Sequence, residues 1–313
     1  MKRQNTLVVI AIMMLLSACT AAPTTTLAPM STTVPANTEI PPIPTFTETA
    51  IPQPTQMTLD QFRNILINAP ELKKDVQLID GKWSESQADG SIQTVNLDEH
   101  FAIGDLNSDG VPDTALLIAE SMGGTGVFYS ITAMVSENGN YHQTNSKSVD
   151  DRPSIHSIQI VDGEIILNVN IHGPNDAMVD PTLDVTKTYR LYNGKMTLWR
   201  QTQLLADGKV RSIDIESPTD YTEVSGEVVL MGSMPIAPFE NTLLLQIYGE
   251  YTMTNFANSL MVTSADAGMP ATINTTIPFS MFKSGELVRI QLVEVSMADG
   301  SPMAIDTIVV TVK

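Results

Sequence analysis

The chain has little of what most protein chemistry needs. Of its 313 residues one is cysteine, four are histidine and 5% are aromatic. The one cysteine, Cys19, lies near the start, so the rest holds no disulfide and no thiol for catalysis, zinc or iron–sulfur ligation. Positive charge is scarce as well: 17 Lys+Arg stand against 35 Asp+Glu, a net of −18. A field of that sign repels phosphate backbones, which excludes nucleic acid as a partner, and it disfavours electrostatic binding to anionic lipid. Divalent cations are its natural small partners. A His-Glu zinc motif and a Gly-x-Ser-x-Gly elbow are both missing. Gly123-Gly124-Thr125-Gly126 is Gly-rich but lacks the Lys-Ser/Thr of a P-loop. What is there is 42% hydrophobic residues, enough for packed cores, on a chain long enough for two domains.

The N-terminus carries the sharpest pattern. Lys2 and Arg3 precede Leu7–Leu16, ten unbroken apolar residues. A membrane-spanning helix needs roughly 20, so the run has the length of a signal-peptide core. Leu16-Ser17-Ala18-Cys19 follows and resembles the bacterial lipobox. The resemblance implies that residues 1–19 are a lipoprotein signal peptide with a lipobox Cys. The Cys19 thiol would take the lipid and become the new N-terminus, holding the protein to the extracytoplasmic face of a bacterial membrane. The alternative is an ordinary signal cleaved after Ala18, Ala21 or Ala22. Residues 20–56 contain 11 Thr and 8 Pro with no Gly, Lys or Arg. Proline fixes φ and removes amide donors, so this stretch is expected to be a disordered Thr/Pro-rich tether.

From 57 to 205 the expected fold is α+β, a helix followed by an antiparallel sheet. Thr58 and Gln61 form a capping box, and Leu59, Phe62, Ile65 and Leu66 recur at helical spacing up to Asn68-Ala69-Pro70. The pattern then switches to period two. Asn138-Gly139, Asp162-Gly163 and Asn193-Gly194 separate alternating runs and predict tight hairpins.

Within that region Asp105-Leu106-Asn107-Ser108-Asp109-Gly110-Val111-Pro112-Asp113 places side-chain oxygens at positions 1, 3, 5 and 9, with Gly at 6. Calcium loops use this spacing because alternate side chains point to one ion while Gly turns the chain. The predicted structural Ca2+ site is Asp105, Asn107, Asp109, Val111 through its carbonyl, and Asp113. It departs from the EF-hand, because Leu116 stands where Glu would close the shell and a strand-like run follows. The loop resembles the Asp-rich loops of FG-GAP repeats, but occurs once, which argues against a propeller. The plainer reading is an Asp/Asn turn. His172-Gly173-Pro174-Asn175-Asp176, with Asp180 and Asp184, is a second acidic loop, read as solvated in preference to ligand-binding.

Residues 210–313 show seven strand-like segments separated by Gly and Pro turns, which suits an all-β immunoglobulin-like sandwich without a cysteine pair. Ile215-Glu216-Ser217-Pro218, Val228-Val229-Leu230-Met231-Gly232, Phe239-Glu240-Asn241-Thr242-Leu243 and Ala298-Asp299-Gly300-Ser301 occur in that order. Together they resemble the immunoglobulin-like domain of bacterial spore germination. Thr219-Asp220-Tyr221-Thr222 departs from it, replacing a Gly-rich approach. The resemblance implies a cell-envelope interaction module with no active-site residues to carry over. The eight Met of this region are read as flexible core filling.

Two functions compete on these grounds. One is a non-catalytic binding or scaffold protein of the cell envelope, held to the membrane through lipid on Cys19 and meeting an unknown protein or envelope polymer. The other is an envelope-polymer hydrolase that uses carboxylates of the Asp-rich loops.

Overall fold

The computed structural model describes residues 58–313 except 252–254 and 267. The expected signal peptide, Cys19 and the expected 20–56 tether lie outside the described residues. The described residues belong to one compact unit. Among the described residues there is no α-helix, and none is long and apolar enough to cross a membrane.

The expected helix-plus-sheet domain is therefore corrected to an all-β one. The helical pattern survives only as a single 3₁₀ turn, Leu59–Phe62. The capping-box pair Thr58 and Gln61 opens that turn, with the Thr58 amide donating to Gln61 Oε1 at 3.3 Å. The chain then turns to β1 (Leu66–Ala69), which pairs with β2 (Lys74–Gln77) through Ile67 opposite Val76. Ile67 and Ala69 are buried while Leu66 is 62% exposed, so the period is two. β-Branched Ile65 and Ile67 and nearby Asn64 and Asn68 favour helix weakly, and pairing with β2 overrides their spacing.

Six strands form the next layer: β3 (Lys82–Ser86), β4 (Ile92–Gly104), β5 (Asp113–Ser121), β6 (Phe128–Glu137), β7 (Asn140–Gln143) and β8 (Lys147–Asp151). They are ordered β3-β4-β5-β6-β7, with β8 also on β6. The continuous apolar run Ala115–Ala119 makes β5 buried on both faces. Leu116 and Ile118 pack under the 3₁₀ turn and the β1–β2 hairpin, while Ala115 and Leu117 face the opposite layer.

That opposite layer is β9 (Ser154–Val161), β10 (Glu164–Ile171), β11 (Leu183–Tyr192) and β12 (Lys195–Leu204), an antiparallel meander. Ile165, Leu167, Val169, Val185 and Tyr189 supply its side of the core. Gly104 lets β4 approach β9, since a Cβ there would sit 2.5 Å from Ile160 Cγ2. The predicted hairpin turns are present, with positive φ at both central residues: 51° and 78° at Asp162-Gly163, 50° and 68° at Asn193-Gly194.

After β13 (Val210–Arg211) come β14 (Asp214–Ser217), β15 (Thr222–Val224), β16 (Glu227–Met234), β17 (Thr242–Gly249), β18 (Asn255–Met261), β19 (Thr263–Ser264), β20 (Ala271–Pro278), β21 (Leu287–Val295) and β22 (Pro302–Val312). One sheet is ordered β14-β16-β20-β19, and the facing strands β18-β17-β21-β22 close a shared core around Leu230, Leu245, Ile273, Ile290 and Val310. The all-β expectation for 210–313 agrees with this. Met231, Met261, Met269, Met281 and Met297 are exposed, so core filling does not explain them; Met234 is buried.

The β18-β17-β21-β22 sheet does not stop at β22. It continues through β12, β11, β10 and β9 into one sheet that spans both regions. The ladder at that junction is one residue pair, Gln201 opposite Ile305.

Candidate binding site at the sheet junction

The Asp-rich loop is closed by its own amides. Asp105 accepts the amides of Ser108 at 2.7 Å, Gly110 at 2.8 Å and Asp109 at 3.3 Å. The Gly110 amide leads in holding the Asp105 carboxyl below its ordinary range. Asn107 Oδ1 accepts the Asp109 amide at 3.1 Å, and Asp109 accepts the Val111 amide at 2.7 Å. Ser108 and Gly110 take positive φ to make the turn.

Asp113 is different. It is wholly buried at the start of β5 and accepts the amides of Leu106 at 2.9 Å and Ser136 at 2.8 Å. Burial raises its pKa, with the two amides opposing. The structure thus brings Asp105, Asn107 and Asp109 together and gives Asp113 the separate task of anchoring the loop to β6. Among the described residues no three His, Cys, Asp or Glu side chains gather as a metal-ligand set. The donors are all oxygen, which suits calcium, and each carboxylate oxygen that accepts one amide keeps a second lone pair. In chemistry the loop fits the ion; in arrangement it offers fewer than the six to eight oxygens that calcium takes.

A more convergent set of polar groups lies elsewhere. A cavity of about 410 Å³ opens where β8, β10, β11 and β12 meet the turn between β21 and β22. Residues 183, 185 and 187 share one face of β11, so the inward parity that buries Val185 also buries Lys187. Lys187 stands opposite Gln201, and Val185 opposite Gln203. Lys187 Nζ donates to the Val149 carbonyl on β8 at 3.0 Å. Burial pulls its pKa down to about 8, partly opposed by the nearby Asp150 charge.

Beside it, Asp150 Oδ2 accepts the main-chain amide of His172 at 2.6 Å and lies 2.8 Å from His172 Nδ1. A carboxylate accepts only, so Nδ1 donates to Asp150 and Nε2 is left as the other polar atom of the ring. That Nε2 is buried without a partner. Gln201 Nε2 donates to the Pro302 carbonyl at 2.6 Å, and Gln201 Oε1 is also buried without a partner. The walls are apolar: Ile171, Leu183, Val185 and Met303.

The acidic loop expected to be solvated supplies part of this site. Asp176 accepts the amides of Gly173 at 2.8 Å and Thr182 at 2.7 Å, and so folds the loop that carries His172 to the cavity. His100 and His156 pair with Asp98 and Asn170 at 2.7 and 2.9 Å, and His142 lines a broader cleft beside the Asp-rich loop. In that cleft Arg190 is already tied to Glu164 and Asp220.

Lys187, Gln201 and Asp150 were not singled out from the sequence. A signal existed for one of them, because Lys187 occupies the inward parity of an alternating strand, where a charge is costly unless it has a use. Asp150 and Gln201 had none, since they meet Lys187 only through strand pairing. Comparison with known proteins names no family for this arrangement: no family model matches the chain, and no curated protein matches it.

Proposed function

We propose that the chain is a lipid-anchored, extracytoplasmic binding protein of the bacterial cell envelope, and that the junction cavity is where it binds. The observation that carries the binding role is the cavity itself, about 410 Å³ lined by Lys187, Asp150, His172 and Gln201 together with apolar Ile171, Leu183, Val185 and Met303. Burying a charged side chain is costly, so a fold that keeps Lys187 buried at the wall of a cavity has a use for it. The anchor rests on the lipobox-like Leu16-Ser17-Ala18-Cys19, the Thr/Pro-rich composition of 20–56 and the scarcity of basic residues that could bind lipid otherwise. The ordered motifs of 215–301 support an envelope setting.

Calcium on the Asp-rich loop belongs to the proposal as a structural ion, held by Asp105, Asn107, Asp109 and the Val111 carbonyl, with Asp113 at the base. The hydrolase reading draws no support from that loop, whose carboxylates are engaged by main-chain amides.

The experiment uses the full-length protein in a bacterial host. Labelled palmitate enters the wild type and not Cys19→Ser, which leaves the membrane fraction. Native mass spectrometry of detergent-extracted protein shows a small adduct that Met303→Trp, filling the cavity from its rim, no longer carries. An unlabelled wild type would sink the anchor; an adduct indifferent to Met303→Trp would sink the cavity.

A further inference from the structure

We propose that β18, an outer edge of the ten-stranded sheet and unpaired there among the described residues, docks a second copy of this chain. The two β18 strands pair antiparallel about a two-fold axis at Asn258. The proposal is independent of the junction cavity and of what fills it.

An edge strand presents open amides and carbonyls, and proteins blunt such edges with charge, proline, bulges or short length. Among the described residues the other edges are blunted. β9, at the far end of the same sheet, lies beside a register shift at Asn168/Val169, and β4 closes on its Ile160 at Gly104. β2, β3, β8 and β14 each carry two or three charged residues. β1, β7, β13, β15 and β19 have four residues or fewer. β18 reads Asn255-Phe256-Ala257-Asn258-Ser259-Leu260-Met261, with no charge, no proline and an unbroken ladder to β17. In a chain of net −18 it is a strip on which an equally acidic copy closes without setting carboxylate against carboxylate.

The ladder fixes which groups are open. The Val262 amide donates to the Asn241 carbonyl at 2.9 Å, in the same register as β17 with β18. Antiparallel strands alternate inward and outward bonding, so Phe256, Asn258 and Leu260 turn their amides to β17, and Ala257 and Ser259 turn theirs to the free edge. A two-fold axis at Asn258 then pairs Ala257 of each copy with Ser259 of the other through those outward amides. It sets Phe256 opposite Leu260 and Asn258 opposite itself. About Asn258 the strand has the same chemistry in both directions: small residues at 257 and 259, large apolar ones at 256 and 260. An isologous interface needs that self-complementarity. Leu260 is buried and Phe256 packs against the same core, so their pairing joins the two cores. Asn258 shares their face yet is exposed, and its amide group finds its own counterpart across the axis.

The strand ends complete the match. Phe239, Met261 and Met297 are exposed, and Phe239 and Met297 line a groove with Leu244 and Ser259. Antiparallel pairing brings to that end the loop after β17 of the second copy, whose Tyr251 is exposed. Apolar side chains that the core leaves out thereby gain a cover.

Cross-linking in cells that express the full-length protein tests this, because Cys19 is the one native thiol and the wild type sets its background. In Asn258→Cys the two thiols oppose each other with Cβ atoms roughly 5 Å apart, and mild oxidation is expected to give a covalent dimer. Ser154→Cys, on β9, should give none above background. Sedimentation of the purified full-length protein should show a dimer at micromolar concentration. Asn258→Asp sets two carboxylates opposite one another and should weaken the dimer roughly tenfold or more. Ala257→Pro, which removes only an outward amide, should do the same, and both variants should melt as folded proteins. A monomeric wild type, a dimer that both variants leave intact, or an Asn258→Cys cross-link no stronger than that of Ser154→Cys would overturn the inference.

Discussion

Lys187 on β11 stands directly opposite Gln201 on β12, and the two side chains reach to different parts of the fold: Lys187 Nζ to the Val149 carbonyl at 3.0 Å, Gln201 Nε2 to the Pro302 carbonyl at 2.6 Å. One cross-strand pair thus links the six-stranded layer, the meander and the start of β22. The ladder there has a single residue pair, so side chains hold the junction. Gln291 Nε2 donates to the Leu198 carbonyl at 3.3 Å, Arg200 pairs with Asp214 and lies 3.7 Å from Asp306, and Arg211 pairs with Glu294.

Lys187→Met should change how stability depends on pH. The folded pKa is about 8, below the ordinary 10.5. Between those values the unfolded chain holds a proton that the folded chain has lost, so wild-type stability rises with pH across the window. The difference integrates to about 3 kcal/mol. Melting of both proteins from pH 7 to pH 10 is expected to show a wild-type gain relative to Lys187→Met. Parallel curves would mean that the ammonium is not desolvated.

Glu120→Gln should act in the opposite direction. Glu120 is fully buried, its Oε2 accepts the amides of Glu71 and Leu72 at 3.1 Å each, and Oε1 has no partner. Burial raises its pKa to about 7 from 4.5, despite those amides. Stability from the protonated form is complete below about pH 4.5 and is lost as pH rises through 7, a change of about 3 kcal/mol. Glutamine stays neutral, so Glu120→Gln should be the more stable protein at pH 8 and should lack the decline. Calorimetric melts at pH 5 and pH 8 decide it.

Asp113→Ala and Asp109→Ala separate anchoring from ion binding. Removing Asp113 orphans two buried amides and should cost roughly 2–4 kcal/mol with or without calcium. Removing Asp109, which is exposed, should cost under about 1 kcal/mol in chelator and abolish a calcium-dependent rise in melting temperature. Identical wild-type melts in calcium and chelator would leave the loop as a turn.

Arg211→Met should be among the most damaging substitutions at the junction. Its partner Glu294 has 3% of its side chain exposed, and burial already raises the Glu294 pKa against the pull of Arg211. Breaking a buried pair by deleting one partner costs roughly 3–5 kcal/mol. Urea titration should show that loss at pH 7 and a smaller one as pH falls, because the raised Glu294 pKa lets the carboxyl take up a proton. The double variant Arg211→Met/Glu294→Leu should recover most of it. No recovery would mean that packing of the arginine stem, not its charge, supports the junction.

Much of the β architecture was legible locally. Asp162-Gly163 and Asn193-Gly194 encode their hairpins because Asp, Asn and Gly tolerate positive φ where other residues resist it. The alternation of 164–169 marks its buried face, and the unbroken apolar run at 115–119 reflects a strand covered on both sides. The segment 59–69 misled because Leu59, Phe62 and Ile65 satisfy helical spacing while Ile67 and Ala69 satisfy strand spacing, and only the presence of Val76 opposite Ile67 decides between them. The exposed Met side chains misled for another reason: their spacing does not record which face of a strand the neighbouring layer covers.

By itself the sequence determined the acidic balance, the signal-like N-terminus, the hairpin turns and the oxygens of the Asp-rich loop. Each of these depends on residue chemistry and backbone preference within a few positions. Only the tertiary structure decided that β12 joins β22, that Asp113 anchors the loop to β6, and that Lys187, Gln201, Asp150 and His172 surround one cavity. The side-chain contacts behind them join residues 22 to more than 100 positions apart, as at Asp150 with His172 and Gln201 with Pro302. They are selected by the burial of whole faces against each other, which no short stretch of chain encodes.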